Sequence, residues 1–82
     1  MHVRLRFFAS VRERLRRGED EIELAKPARV ADAWLVLRQR YPILDEVGAS
    51  LRFAVNQEYV EHEHLLADGD EVAVIPPVSG GA

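Results

Sequence analysis

The segment VADAWLVLRQR, residues 30–40, decides the fold class, because its apolar side chains recur at the spacing of an amphipathic helix. The apolar face consists of Val30, Ala33, Trp34 and Leu37, and Leu35 and Val36 broaden it. We expect a poor start at Arg29, where Ser, Thr or Asp is preferred. Pro42 ends the helix, since the residue before a proline is disfavoured in helical geometry.

Two strands precede this helix and three follow it. Alternating apolar and polar side chains predict strands at residues 2–8, 20–25, 51–56, 58–62 and 71–75. Short helices or turns connect them at residues 9–18 and 42–50. One helix that covers one face of a mixed sheet is the economical packing. The order therefore predicts an α+β fold, the β-grasp or ubiquitin-like arrangement with a five-stranded mixed sheet and one main helix, over residues 1–75.

The chain is short, and its charges are unevenly distributed. Its 82 residues contain no cysteine, which excludes disulfides and thiolate metal sites, and no apolar run approaches membrane-spanning length. We expect a single cytoplasmic domain that neither enters a membrane nor binds nucleic acid. The net charge is −3, with six arginines between Arg4 and Arg17 and no Lys or Arg after Arg52. The acidic C-terminal third favours docking on a basic protein surface, although a solvated acidic face fits equally well.

No residue pattern indicates an internal active site. The sequence has no Gly-rich phosphate loop and no convincing Ser-His-Asp order. His62 and His64 share a strand face but lack a third ligand, so no metal site is predicted. Lys26, the only lysine, is expected at the surface.

The outer face of the sheet is predicted to carry apolar side chains. The alternation that turns Phe7 and Val74 inward turns Phe8 and Ile75 outward, and Tyr59 is expected beside them. Exposed apolar residues that cluster around the last strand indicate a partner site. The alternative is that the short helix after Phe8 folds over it.

Residues 76–82, PPVSGGA, are predicted to form an extended, flexible tail. Two prolines stop the last strand and stiffen the start of the tail. Ser79, Gly80 and Gly81 have almost no side-chain bulk, so the backbone can enter a channel too narrow for other residues. A frayed terminus is the alternative. A β-grasp domain joined to a Gly-Gly segment favours delivery of the terminal carboxylate into another enzyme.

Three blocks of the sequence carry a resemblance to a known family. FFASVRE at 7–13, AVNQEYV at 54–60 and DGDEVAVIPPVSGG at 68–81 closely resemble the small subunits of molybdopterin synthase, the MoaD type of the MoaD/ThiS sulfur carriers. The resemblance implies a subunit that is not catalytic alone and binds no cofactor itself. It also implies assembly with a MoaE-type large subunit into a heterotetramer.

The resemblance further implies the chemistry of the tail. A MoeB-type activating enzyme uses ATP and magnesium to adenylate the Gly81 carboxylate, and a sulfur donor converts it to a thiocarboxylate. Gly80 lets the tail thread into the large subunit, where the sulfur passes to cyclic pyranopterin monophosphate in molybdenum cofactor biosynthesis. The implied partner-binding positions are Phe8, Arg12, Tyr59, Ile75, Pro76, Pro77, Val78 and Ser79.

Ala82 departs from the family pattern, which ends at Gly-Gly. It moves the terminal carboxylate about 3.8 Å beyond Gly81 and adds a Cβ. Trimming by a peptidase, fusion to a further domain, or loss of the carrier function would each account for it. The alternative functions are a ubiquitin-like modifier of lysines, a sulfur carrier for thiamine synthesis or tRNA thiolation, and a plain interaction domain.

Overall fold

The computed structural model of the chain describes residues 1–46 and 48–77. Its elements, in chain order, are β1 (His2–Phe7), α1 (Ala9–Leu15), β2 (Glu19–Glu23), α2 (Val30–Arg40), β3 (Arg52–Val55), β4 (Glu58–Val60) and β5 (Glu71–Ile75). Two short 3₁₀ helices, Pro42–Glu46 and Gly48–Ser50, lie between α2 and β3. In the described ranges no helix has the length and apolar character needed to cross a membrane.

The five strands form one mixed sheet in the order β2-β1-β5-β3-β4. β1 and β5 are parallel neighbours, while the other three neighbouring pairs are antiparallel. With α2 as the main helix, this is the β-grasp fold that the order of elements predicts. The chain thus brings its N-terminal strand beside its last strand, and the start of the tail next to the end of β1.

The core lies on one face of the sheet, against α2. Alternation in β1 buries Val3, Leu5 and Phe7 on this inner face. Trp34 of α2 meets Phe53 of β3 edge to face, with ring centroids 5.6 Å apart. The buried apolar side chains from strands and helix form one cluster, so the opposite face of the sheet is left for other roles.

The position of Leu35 on α2 corrects one expectation from the sequence. Leu35 is 54% exposed and does not widen the buried face of the helix. Successive residues of a helix are rotated by about 100°, so Leu35 points well away from the direction shared by Ala33 and Leu37. Val36 is half-buried and packs against the core, as expected.

The backbone N–H groups at the start of α2 have more hydrogen-bond acceptors than Arg29 at the N-cap suggests. The Asp32 carboxylate accepts the backbone N–H of Arg29 at 2.7 Å. The carbonyls of His64 and His62 accept the first two N–H groups of the helix, each at 3.0 Å. A distant loop therefore supplies the acceptors that a helix N-terminus needs. This use of the loop also accounts for β4 ending at Val60 rather than at His62.

Candidate docking face and C-terminal tail

The outer face of the sheet holds an apolar patch at the end where the tail leaves. Phe8 follows β1, and its backbone N–H donates to the Val74 carbonyl at 3.3 Å, which places it beside the end of β5. Phe8 is 40% exposed and Tyr59, on β4, is 67% exposed. Ile75, the last residue of β5, is half-buried. The helix α1 therefore leaves Phe8 accessible, and we call Phe8, Tyr59 and Ile75 the docking patch.

Two alanines form the floor beside the docking patch. Ala73 and Ala54 are paired between β5 and β3, and Ala54 is also paired with Tyr59. Both residues are on the outer face, yet they are only 7% and 4% exposed. Their single methyl groups lie below taller neighbours, so the face is a shallow apolar depression. The alternation along β5 turns Ala73 outward, but the floor also needs Ala54 beside it, and that neighbour follows only from the pairing of β3 with β5.

The other half of the outer face is polar and internally paired. His2 Nδ1 lies 3.0 Å from Glu23 and its Nε2 lies 3.5 Å from Glu21. Arg6 Nη1 lies 3.8 Å from Glu71 on the neighbouring strand. The hydrogen bond that the His2 ring donates to the Glu23 carboxylate is the main cause of the raised pKa of His2, and the charge of Glu21 adds to it. Most charges of this half are paired; Arg4 is in none of the ion pairs among the described residues, but it lies opposite Glu21 and Glu71 in the strand pairing. This half offers little apolar surface to a partner.

Two arginines lie near the border of the docking patch. The Arg6 guanidinium stands 5.6 Å from the centroid of the Phe8 ring, a cation–π contact that favours the ring position seen at the surface. Arg12 on α1 is exposed, and its Nε would lie 3.3 Å from a Cβ at Gly18. It lines a cleft with Arg16 and Arg17, the two residues that follow α1, rather than the docking patch. Its contact with a partner stays a prediction.

The tail leaves the sheet directly beside the docking patch. β5 ends at Ile75, Pro76 is half-buried, and Pro77 is exposed. Pro77 lines a shallow open cleft together with Arg52 and Tyr59. A partner that covers the docking patch must therefore meet the first residues of the tail. The other predicted tail residues, Val78, Ser79, Gly80 and Gly81, lie outside the described residues.

The two histidines after β4 have structural tasks. The His62 ring packs on Phe53, with centroids 5.1 Å apart, and the carbonyls of His62 and His64 bond to the start of α2. Within residues 1–46 and 48–77, no three potential metal-ligating side chains gather at one point. Packing on Phe53 and backbone hydrogen bonds to α2 therefore account for the positions of these two histidines.

A β-grasp domain with an apolar patch at the start of a Gly-Gly-containing tail defines a class, the ubiquitin-like carrier proteins. The sequence profile of the ThiS family matches residues 5–81, and the chain belongs to this family. A relative from Chlamydomonas reinhardtii, named molybdopterin synthase sulfur carrier subunit, is 41% identical over 83 residues. That match covers 99% of this chain and 100% of the relative. The resemblance found in the sequence is confirmed.

Solved structures give the same assignment of the fold. SAMP1 from Haloferax volcanii matches with a TM-score of 0.88 and 27% identity, covering 99% of this chain and 100% of that chain. A Helicobacter pylori structure is a protein–protein complex of subunits 1 and 2 of molybdopterin-converting factor. It matches with a TM-score of 0.74 and 26% identity, covering 99% of this chain and 100% of that chain.

Proposed function

We propose that the chain is the sulfur carrier subunit of a molybdopterin synthase in the cytoplasm. The observation that carries this proposal is the 41% identity, over 99% of the chain, to a relative named for that role. The docking patch supports it, because a carrier must present one surface to each enzyme that loads or unloads it. The patch lies where the tail begins, so docking and delivery of the terminus are coupled.

In this proposal the Gly81 carboxylate carries the sulfur. A carboxylate is a poor electrophile, so an activating enzyme joins it to AMP from ATP, with magnesium, and releases pyrophosphate. A sulfur donor then displaces AMP and leaves a thiocarboxylate. This chain supplies the carboxylate, the narrow Gly80-Gly81 backbone and the docking patch. The groups that perform the chemistry belong to the partners.

The second partner in the proposal is the large subunit of the synthase. The Helicobacter pylori structure supports this pairing, since there subunits 1 and 2 form a complex. The large subunit covers the docking patch and receives the tail that starts at Pro76. The thiocarboxylate sulfur bonds to cyclic pyranopterin monophosphate, water then hydrolyses the bond between the acyl carbon and the sulfur, and the tail returns to a carboxylate, ready for reloading. Two such transfers build the dithiolene of molybdopterin, and two copies of each subunit form the heterotetramer.

Intact-mass measurement tests the proposal. The chain ending at Gly81 is incubated with the activating enzyme and sulfur donor of its own organism, ATP and magnesium. We expect a mass gain equal to the exchange of one oxygen for one sulfur, and its loss when the large subunit and cyclic pyranopterin monophosphate are added. A form that ends at Gly80 is the matched control and should gain nothing. No gain on the Gly81 form contradicts the proposal.

A second candidate function is protein modification through Gly81. The likeness to SAMP1, the small archaeal modifier protein 1 of Haloferax volcanii, favours it. Here the activated Gly81 carboxyl group forms an amide with a lysine ε-amine of a target protein, and AMP leaves. Peptide mapping of cell extracts that contain a tagged chain separates the two functions. Isopeptide adducts support modification, whereas a terminal thiocarboxylate without adducts supports sulfur transfer alone.

A further inference from the structure

Arg52 is a cation without an ionic partner in the apolar half of the outer face. It is exposed and lies directly opposite Ile75 in the pairing of β3 with β5. Among the described residues, none of the ion pairs includes the Arg52 guanidinium. Glu61 lines the same cleft but does not approach it within ion-pair distance. In the polar half, by contrast, Arg6 has Glu71 nearby. Arg4, although in none of the ion pairs of the described residues, lies opposite Glu21 and Glu71 in the strand pairing.

The sheet order places Arg52 where a docked partner must cover it. Its strand β3 lies between β5, which carries Ile75, and β4, which carries Tyr59. A protein that contacts Ile75 and Tyr59 together therefore excludes water from the guanidinium between them. A charge that is buried without a partner costs several kcal/mol, whereas a paired and hydrogen-bonded charge does not carry this full penalty.

We infer that the partner surface covering the docking patch presents an Asp or Glu carboxylate to Arg52, an inference that rests on the proposed function. The planar guanidinium can hold a carboxylate with two parallel hydrogen bonds, which fixes orientation as well as distance. Arg52 is paired with Ile75, the residue immediately before Pro76. The ion pair therefore sets the position of the partner at the point where the tail enters it.

Arg52→Met tests the inference, because it keeps an apolar side chain of similar length and removes the charge. We expect affinity for the large subunit of the same organism to fall about 30-fold or more, since the partner carboxylate is left buried and unpaired. Affinity is measured by titration calorimetry at low and high salt, and the salt dependence should be weaker in the variant. The melting temperature should be unchanged, because Arg52 is exposed and makes no ion pair within the described chain.

The charge reversal Arg52→Glu has a matched control in Lys26→Glu. Lys26 is exposed in the turn after β2, beyond the end of the sheet opposite the tail, and its reversal changes the net charge equally. We expect Arg52→Glu to abolish measurable binding and Lys26→Glu to leave it unchanged. Replacing the paired acidic residue of the large subunit with Arg should restore binding to Arg52→Glu only.

Three results would overturn the inference. One is Arg52→Met binding as tightly as the native chain or more tightly. Another is equal loss in both charge reversals. The third is a loss of affinity in Glu61→Gln that does not add to the loss of affinity in Arg52→Met. This result would show that Glu61, and not a residue of the large subunit, pairs with Arg52. Failure of the native chain to bind the large subunit would instead contradict the proposed function, so the two failures are distinguishable.

Discussion

Gly48 lets the segment before β3 approach the ring of Trp34. A Cβ built on Gly48 would lie 2.6 Å from Cζ2 of that ring, which is buried in the core and cannot easily move. We expect Gly48→Ala to lower the free energy of unfolding by about 1–3 kcal/mol, the cost of overpacking a core. Urea unfolding at constant pH measures this.

The matched control is Gly18→Ala. The atoms nearest to a Cβ there belong to the flexible end of the Arg12 side chain, the first at 3.3 Å, and that side chain can move into solvent. Its effect on the free energy of unfolding should be well under that of Gly48→Ala. Equal effects would show that the Trp34 ring gives way as easily as a surface arginine.

Asp20 connects β2 to residues near the ends of both helices. Its carboxylate accepts hydrogen bonds from the Tyr41 hydroxyl and, at 2.9 Å, from the Arg40 guanidinium, and it lies 3.9 Å from Arg17. Burial acts to raise the pKa of Asp20. The hydrogen bonds from Tyr41 and Arg40 outweigh burial and lower the pKa from 3.8 to about 2.

This lowered pKa makes part of the stability depend on pH. Since the folded pKa lies below the ordinary value, the contribution of Asp20 is complete above pH 3.8 and is lost as the pH falls toward 2. We expect Asp20→Asn to cost about 1 kcal/mol at about pH 6, allowing for solvent screening, and much less at about pH 2. Urea unfolding at both pH values checks this, and an equal cost at both would contradict it.

At the scale of the elements, Phe7 and Phe8 are adjacent in the chain but have opposite roles, because one packs in the core and the other belongs to the docking patch. Phe8 is 40% exposed, whereas Phe7 is 2% exposed in the core. We expect Phe8→Ala and Ile75→Asp to weaken binding of the large subunit by about 1–3 kcal/mol, roughly 5- to 150-fold, while the domain stays folded. Phe7→Ala is the control and should instead lose about 3–5 kcal/mol of stability. Thermal melts and calorimetry distinguish these effects.

Two results would contradict the prediction for Phe8→Ala and Ile75→Asp. Unchanged affinity in both Phe8→Ala and Ile75→Asp would place partner binding on another surface. A collapsed fold in Phe8→Ala would mean that the ring supports α1 and the core rather than a partner. Either result would also remove the reason to expect that a partner buries Arg52 between Ile75 and Tyr59.

The elements differ in how far the sequence predicts them. The bounds of α2 and the outward direction of Phe8 and Ile75 follow from local periodicity, which neighbouring residues determine. The isolation of Arg52 and the alanine floor depend on β3 lying between β5 and β4, that is, on pairing between distant segments. The carbonyls that satisfy the start of α2 come from residues about thirty positions away, so no local pattern contains them.

At the scale of the whole molecule, the fold redistributes charges that are segregated along the chain. Part of the acidic C-terminal third serves the domain itself: Asp68 accepts the His2 backbone N–H at 2.6 Å, and Glu71 approaches Arg6. Among the described residues, Glu58, Glu61 and Glu63 make no ion pair. The acidic surface open to a basic partner is therefore confined to the region of β4 and the loop after it.

The position of the terminal carboxylate relative to the docking patch is the property on which the proposed chemistry depends. Once a partner holds the patch, the six residues from Pro76 to Gly81 reach at most about 20 Å, so the length of the tail fixes where the carboxylate lies. Ala82 moves the terminal carboxylate by about 3.8 Å, and misplacement near 1 Å can already cost about 100-fold in rate.

We therefore expect adenylation of the form ending at Gly81 and almost none of the form ending at Ala82. Incubation of both forms with the activating enzyme, ATP, magnesium and a sulfur source, followed by intact-mass measurement, compares them directly. An equal exchange of oxygen for sulfur on the Ala82 form would show that the activating enzyme does not measure the tail from the docking patch.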